Sequence, residues 1–201
     1  MAALLIVVAY LAGSIPTGVL LTRLRGIDPR RAGSGNIGAT NVARTAGLGL
    51  GLATLVGDLA KGAVPVAVAS RSGLGDPVLA GTAIAAVVGH LAPITLGFRG
   101  GKGVATALGT LLILAPGAAG TAVLTFAATL WLTRFVSVAS LAAAFVAPIV
   151  MAVQGAPEWR IGAMATMAAL IALRHLGNVR RLIDGTEPSV HLPGRQAVPK
   201  D

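Results

Sequence analysis

Long apolar runs without a charged residue dominate this chain, and they decide what it can fold into. Residues 1–22 and 103–132 carry no charged side chain. Over all 201 residues only 11% are charged, 55% are hydrophobic, and the mean hydropathy is +0.81. A soluble domain carries roughly 25% charged residues. The sequence therefore predicts an all-α integral membrane protein rather than a soluble enzyme, a disordered tail or a fibrous repeat.

The cysteine and histidine content and the net charge narrow the kinds of site and partner that we expect. The chain has no cysteine, and its three histidines (His90, His175 and His191) are far apart, so we expect no disulfide, no metal site and no cofactor. A formal net charge of +9 is compatible with nucleic-acid binding. In a membrane chain, however, basic residues mark the cytoplasmic loops. We therefore expect membrane lipid around the protein, no nucleic acid and no obligatory protein partner.

Charge-poor runs locate the predicted membrane spans. They cover residues 1–22, 49–70, 76–96, 103–132, 135–153 and 159–173. Pro116 and Gly117 break the fourth run into two pieces, each shorter than the about 20 residues that cross the hydrocarbon. The pieces are either two tilted helices or one re-entrant hairpin, and the sequence leaves both open. Counting them as two crossings predicts seven transmembrane helices.

The basic residues set the predicted orientation. No Lys or Arg precedes the first span and a cluster of arginines follows it, which indicates a retained helix with its N-terminus outside. Seven spans leave only Arg71 and Arg160 outside and Lys61 within a span, so the remaining 13 of the 16 basic residues are cytoplasmic. Lys61 lies one turn from Asp58, and we interpret the two as a structural pair. The predicted domains are one membrane domain at 1–187 and a polar cytoplasmic tail at 188–201.

Two glycine-rich segments fall on the predicted cytoplasmic side. Residues 33–44 read GSGNIGATNVAR, where glycines let the backbone turn and neutral donors and an arginine suit a phosphate. Residues 98–106 read FRGGKGVAT and depart from a nucleotide-binding P-loop, because Leu96 and Gly103 stand where it needs Gly and Ser or Thr. This segment still brings Lys102 to the start of a helix, where N–H groups and the ammonium favour phosphate. For residues 33–44, the alternative is a flexible basic loop that contacts anionic headgroups non-specifically.

A third polar segment, residues 174–187, reads RHLGNVRRLIDGTE. It is either a basic helix held at the anionic leaflet or part of a site, and Asn178 and Glu187 among the basic residues favour the site. Ser137 and Ser140 lie one turn apart near the same surface, where their hydroxyls serve either helix packing or a substrate. His90 is either a hydrogen-bonded residue near a helix end or a site residue.

In this order, the three segments resemble the bacterial acyl-phosphate:glycerol-3-phosphate acyltransferases, the PlsY family. The resemblance includes GSIP at residues 13–16 and DLAKG at 58–62, and only the tail after Glu187 has no usable motif. It implies a seven-helix enzyme of the bacterial inner membrane with a cytoplasmic active site. The implied reaction transfers a fatty acyl group from acyl phosphate to the 1-hydroxyl of glycerol 3-phosphate, giving lysophosphatidic acid and phosphate.

The residues and the resemblance together give the predicted site. An acyl phosphate already has a good leaving group, so we expect direct attack by the hydroxyl, with cations stabilising the departing phosphate. A phosphate oxygen is favoured over His175 as the proton acceptor. The predicted catalytic residues are Lys102, Ser140, His175 and Asn178. The predicted substrate-binding residues are Ser34, Gly35, Asn36, Asn41, Arg44, His90, Gly100, Gly101, Gly103, Thr106, Ser137 and Glu187.

Two functions from other classes compete with this interpretation. A small-solute or anion transporter also has intramembrane charges such as Asp58 and Lys61 and glycine-broken helices. Its site usually lies near the midplane between repeated halves, whereas these polar segments gather at one face and show no repeat. A non-enzymatic scaffold leaves the phosphate-like clusters unexplained.

Overall fold

The computed structural model describes residues 1–190, and these contain helices and no β-strand. The predicted all-α fold is confirmed for this part of the chain; residues 191–201, which include His191 and most of the predicted tail, lie outside the described residues. Two short 3-10 helices occur at Pro29–Arg31 and Ile94–Leu96. The α-helices are α1 (Ala2–Gly13), α2 (Thr17–Arg23), α3 (Ala39–Ala46), α4 (Leu48–Arg71), α5 (Asp76–Leu91), α6 (Val104–Leu114), α7 (Pro116–Thr133), α8 (Val136–Val153), α9 (Glu158–Arg174) and α10 (Leu176–Ile183).

The first apolar run is broken rather than continuous, because α1 and α2 differ in direction by 41°. Pro16 lies between them; it has no amide hydrogen, and its ring collides with the carbonyl four residues earlier. Side chains from other elements pair with the carbonyls at the break. Thr95 Oγ1 donates to Ser14 O at 2.6 Å, and Lys61 Nζ donates to Ile15 O at 2.9 Å.

Three helices within residues 1–190 are long and apolar enough to cross a membrane by length and composition, or four if α1 and α2 count as one bent span. The three begin at Leu48, Asp76 and Val136. Pro65 and Pro148 lie inside α4 and α8 without ending them. The break predicted at residues 116–117 occurs at Ala115, so the fourth run folds as the 11-residue α6 and the 18-residue α7.

Small residues let α4 and α6 approach until their backbones touch. A β-carbon added at Gly62 would collide with the carbonyl of Thr106, and one added at Gly109 would collide with the carbonyl of Leu59. Such close approach allows the dispersion contacts that hold helices together in lipid. The main core continues from here through alanines of α5 to α9, with Met151 and Met167 among its buried side chains.

Short connections make successive long helices antiparallel, so alternate connections lie at the same end of the bundle. The segments before α3 and α6 and the turn after α9 meet at one end, since their residues line one cavity. At the other end, Arg160 Nη1 donates to Leu114 O at 2.9 Å, which joins the start of α9 to the end of α6. The fold therefore collects the three polar segments at a single end.

Candidate functional site

A polar cavity of about 220 Å³ opens where the three polar segments meet. Each segment contributes to its wall, although they are separated by more than sixty residues along the chain. Its basic side chains give it the sign of charge that attracts phosphate. The lining residues are Ser34, Gly35, Asn36, Gly100, Gly101, Lys102, Arg174, Gly177, Asn178 and Arg181.

The first wall of the cavity is a loop built around Asn41, a fully buried residue of α3. Asn41 Nδ2 donates to the carbonyls of Pro29 (2.9 Å), Ala32 (3.0 Å) and Asn36 (2.8 Å). Its Oδ1 accepts the backbone N–H of Ser34 at 2.8 Å. These bonds use the amide's hydrogen-bonding capacity internally. Asn41 therefore shapes the loop that presents Ser34 and Asn36 instead of facing the cavity itself.

The second wall is the Gly100–Gly101 turn, which neighbouring groups hold on both sides. The N–H groups of Gly100 and Gly101 donate to the carbonyls of Leu91 (3.2 Å) and His90 (3.0 Å). Their own carbonyls accept from Arg174, whose Nη2 lies 2.7 Å from Gly100 O and whose Nε lies 3.1 Å from Gly101 O. Both glycine amides are thus paired within the protein. The donors that remain for an anion are the first N–H groups of α6, which have no partner in the preceding turn.

Lys102 follows this turn and places a basic side chain in the cavity wall, next to the start of α6. Gly103, the residue before the helix, has a φ of +80°, a conformation that favours glycine over other residues. Burial lowers the pKa of Lys102 to about 8; the carboxylate of Glu187 opposes this, and the surrounding arginines reinforce it. The ammonium is therefore mostly charged at pH 7 and is desolvated enough to attract an anion strongly. The arginines whose charges act on it are Arg181, Arg174 and Arg44.

The third wall joins α10 to the segment that follows it. Glu187 Oε1 accepts from Asn178 Nδ2 at 2.6 Å, and its Oε2 accepts from Arg181 Nε at 2.9 Å. Burial favours the neutral carboxyl, but Asn178, the nearby Ser137 hydroxyl and Arg181 outweigh it and hold the pKa of Glu187 below its usual range. The carboxylate stays charged at neutral pH. It fixes the orientation of two residues that line the cavity.

His175 lies between α9 and α10 and is 1% exposed. Its Nδ1 is 2.8 Å from Ile171 O, and because a carbonyl only accepts, Nδ1 carries the proton. Burial lowers the pKa of His175; the bond to Ile171 opposes this, and the charge of Lys102 adds to it. The ring is therefore neutral near pH 7, with the lone pair on Nε2.

The predicted residues fall into two groups. Ser34, Gly35, Asn36, Gly100, Gly101, Lys102 and Asn178 line the cavity. The others are not among the lining residues: Asn41, Arg44, His90, Gly103, Thr106, Ser137, Ser140, His175 and Glu187. Thr106 is fully buried against Gly62 of α4, and Ser137 and Ser140 are buried in the first turns of α8.

Sequence reasoning did not single out Arg174, Gly177 and Arg181, which also line the cavity. All three belong to the motif of residues 174–187, yet nothing in that basic run separates Arg174 and Arg181 from the exposed Arg180. A helical register offers one signal, because residues three or four apart share a face. Positions 174, 177, 178 and 181 follow this spacing.

Similarity to known proteins covers nearly the whole chain. The family model described as glycerol-3-phosphate acyltransferase matches residues 3–185. The glycerol-3-phosphate acyltransferase of Geobacter sulfurreducens is 47% identical over 92% of this chain and 95% of its own length. That of Thermus thermophilus is 45% identical over 90% of this chain and 92% of its own.

Two solved structures have the same fold. A crystal structure of PlsY (YgiH), an integral membrane glycerol 3-phosphate acyltransferase, in its glycerol 3-phosphate form superposes with a TM-score of 0.91. It is 39% identical, and the match covers 94% of this chain and 96% of that one. The lysophosphatidic acid form of PlsY gives a TM-score of 0.89 at 38% identity. The predicted membrane enzyme is thus confirmed over the transporter and the scaffold, and the chain belongs to the glycerol-3-phosphate acyltransferase family.

Proposed function

We propose that the acyl donor of this glycerol-3-phosphate acyltransferase is an acyl phosphate. The 1-hydroxyl oxygen of glycerol 3-phosphate forms an ester bond to the carbonyl carbon of the donor. The bond between that carbon and the phosphate oxygen breaks, and the hydroxyl proton passes to the leaving phosphate. The products are lysophosphatidic acid and inorganic phosphate. No covalent enzyme intermediate is needed, because the donor is already activated.

One observation carries this proposal: three distant motifs form one small cavity whose basic groups all suit phosphate. Lys102, Arg174 and Arg181 line it, and α6 begins beside it. A phosphate bound there gains charge-assisted hydrogen bonds and the favourable end of a helix dipole. Phosphate is present in both substrates and is also the leaving group, so the same groups stabilise the charge that develops as the acyl–phosphate bond breaks.

The roles of the individual residues follow from their positions and from the family motifs. Lys102 stabilises the leaving phosphate, and Ser34 and Asn36 of the cavity wall bind the phosphate of glycerol 3-phosphate. Arg44, which the motif assigns to the site and whose charge acts on Lys102, adds to the attraction of that phosphate. Asn178, held by Glu187, orients the attacking hydroxyl. The proton goes to a phosphate oxygen rather than to His175, which is buried and lies outside the cavity wall.

Ser140 is ranked above Ser137 as a catalytic residue by the family motif alone. Both hydroxyls are buried near the start of α8, and Ser137 lies beside Glu187. Replacing each serine separately with alanine tests this ranking. The ranking fails if only Ser137→Ala lowers turnover.

We further propose seven crossings of the bacterial inner membrane, with the N-terminus outside, the C-terminus inside and the cavity on the cytoplasmic face. The 18-residue α7 and the 17-residue α9 add about 27 and 26 Å to the three long helices and the bent pair. The excess of basic residues at the cavity end supports this orientation. The membrane domain is residues 1–187, followed by the polar tail 188–201.

The short α6 completes the count as a crossing rather than as half of a re-entrant hairpin. The turn before α6 accepts hydrogen bonds from Arg174 at the end of α9, and Leu114 at its end accepts from Arg160 at the start of α9. α6 therefore runs antiparallel to α9 between the same two ends. Its 11 residues span only about 16 Å, and arginine side chains of α9 hydrogen-bond to the backbone at both of its ends.

The donor is tested with purified protein in lipid, glycerol 3-phosphate and either palmitoyl phosphate or palmitoyl-CoA. We expect equal release of phosphate and lysophosphatidic acid with palmitoyl phosphate and no product with palmitoyl-CoA. Lys102→Ala, inserted in the membrane at the wild-type level, serves as the inactive control. Turnover with palmitoyl-CoA would overturn the proposed donor, and phosphate release without lysophosphatidic acid would indicate hydrolysis instead.

A further inference from the structure

A buried polar cluster lies beneath the Gly100–Gly101 turn and outside the cavity. Asp58 and Lys61 of α4 form an ion pair of 2.9 Å with side chains only 4% and 5% exposed. Lys61 Nζ also donates to Ile15 O at the break between α1 and α2. None of the three residues lines the cavity. The pair is thus held by the backbone at the break between α1 and α2, and it lies outside the polar cavity.

His90 of α5 connects this pair to the turn. Its Nδ1 lies 3.7 Å from Asp58 Oδ1, too far for a hydrogen bond, and has no hydrogen-bond partner among the described residues. On the opposite edge of the ring, Nε2 packs so closely against Gly101 that a β-carbon there would collide with it. The carbonyl of His90 also accepts the N–H of Gly101. Both the ring and the backbone of His90 therefore support the turn from below.

The charges around His90 favour one arrangement of its ring. The nearest charged groups are Asp58 and Lys61 on α4, with Arg174 of α9 acting from the far side of the turn. A carboxylate beside Nδ1 favours the proton on that nitrogen and so favours one ring orientation. At 3% exposure, His90 is closed off from a substrate in the cavity. Its influence on the reaction has to pass through Gly101.

We propose that His90 is a positioning residue for Lys102. The Asp58–Lys61 pair orients the His90 ring, the ring supports Gly101, and Gly101 sets where the next residue, Lys102, enters the cavity. A displacement of the reactive group by 1 Å is costly, since binding and transition-state contacts depend on geometry at that scale. This inference rests on the proposed role of Lys102 in binding phosphate.

The test is a double-mutant cycle on the equilibrium binding of radiolabelled inorganic phosphate, the leaving group that Lys102 is proposed to stabilise, to the full-length protein in lipid nanodiscs. His90→Gln keeps a polar group near Gly101 but removes the donor that faces Asp58. We expect it to weaken binding roughly tenfold in the wild-type background, the effect of one lost oriented contact, and less than about twofold in Lys102→Ala. Equal weakening in both backgrounds would overturn the inference, because His90 would then act independently of Lys102.

A second cycle serves if Lys102→Ala binds too weakly to measure. Asp58→Asn combined with Lys61→Met removes both charges of the pair together, which avoids an unpaired buried ion. We expect this double variant to weaken binding as much as His90→Gln does. Adding His90→Gln to the double variant should weaken binding by less than about twofold more. Additive losses, or wild-type affinity in either variant, would contradict the proposed order of contacts.

Thr110→Val is the matched structural control. Thr110 is fully buried in α6 and donates to Ala107 O at 2.7 Å, away from the turn. We expect it to lower the melting temperature without changing the affinity, and an equal loss of affinity would show that His90 acts only through overall stability. Unchanged binding in Lys102→Ala alone would instead refute the proposed role of Lys102, so the two failures are distinguishable.

Discussion

Arg174 hydrogen-bonds to the outer side of the Gly100–Gly101 turn. Replacing it tests whether the activity depends on the two parallel hydrogen bonds that its guanidinium donates to this turn. The guanidinium makes two hydrogen bonds to successive carbonyls, one part-buried at 3.1 Å and one exposed at 2.7 Å. A hydrogen bond to a charged group contributes about 1.5–3 kcal/mol when buried, and an exposed one contributes much less. Taking about 1.5 kcal/mol for the first bond and about 0.5 kcal/mol for the second gives a total of about 2 kcal/mol. This corresponds to roughly 30-fold in kcat/KM.

Three variants separate geometry from charge. Arg174→Gln removes the cation and the fork, and we expect the full loss of roughly 30-fold. Arg174→Lys keeps the charge but loses the planar fork, so roughly a fivefold loss is expected. Arg180→Gln removes the same charge from an exposed neighbour outside the cavity wall and should change kcat/KM less than about twofold.

The assay follows lysophosphatidic acid formation at varied glycerol 3-phosphate in lipid, with each variant's melting temperature measured alongside. Equal losses in Arg174→Gln and Arg180→Gln would refute the reasoning, because charge alone would then account for the effect. Wild-type activity in Arg174→Lys together with a full loss in Arg174→Gln would show that charge, and not the fork, is what matters at this position.

Three further predictions concern the other walls of the cavity. The pKa of Lys102 near 8 predicts that kcat/KM falls as pH rises through about 8, because the ammonium loses its charge above its pKa. In a pH–rate profile, Lys102→Arg should move this fall beyond pH 10, because a guanidinium stays charged there. Glu187→Gln removes the charge that raises the pKa of Lys102, so the alkaline fall should begin at lower pH, and the lost partner of Arg181 should reduce turnover roughly tenfold. Asn41→Asp replaces the donor of three backbone carbonyls by an acceptor, so we expect a loss on the order of 3 kcal/mol in local stability. Limited trypsin digestion should then cut the loop before α3 faster than in the wild type.

Each of these predictions has an outcome that contradicts it. An unchanged alkaline limb in Lys102→Arg would show that another group titrates there. An alkaline fall at the wild-type pH in Glu187→Gln would mean that its carboxylate does not act on Lys102. Wild-type trypsin resistance in Asn41→Asp, with Thr40→Ser as the exposed control, would show that the loop is held by other contacts.

The sequence by itself determined the class of fold and the three motifs. Charge-free apolar runs have to lie in lipid as helices, since only a helix satisfies its own backbone groups there. The ion pair of Asp58 and Lys61 was also predictable, because residues three apart share a helix face. These conclusions depend only on composition and on the spacing of residues close in the chain, so they hold whatever the rest of the fold is.

Tertiary structure decided how the site is assembled from those motifs. Local sequence could not reveal that the side-chain amide of Asn41 hydrogen-bonds within its own loop. Nor could it reveal that the N–H groups of Gly100 and Gly101 donate to carbonyls of α5, or that Arg174 donates to the carbonyls of these two glycines. The bonds of Arg174 join residues 73 and 74 positions apart, so no local pattern predicts them. The bonds of Asn41 and of the two glycines span 5 to 12 positions across irregular backbone, where no helical or strand period tells which donor meets which carbonyl. A buried donor or acceptor hydrogen-bonds to whichever group the packing places beside it. Only the folded structure therefore shows which polar groups are left unpaired and can bind a substrate.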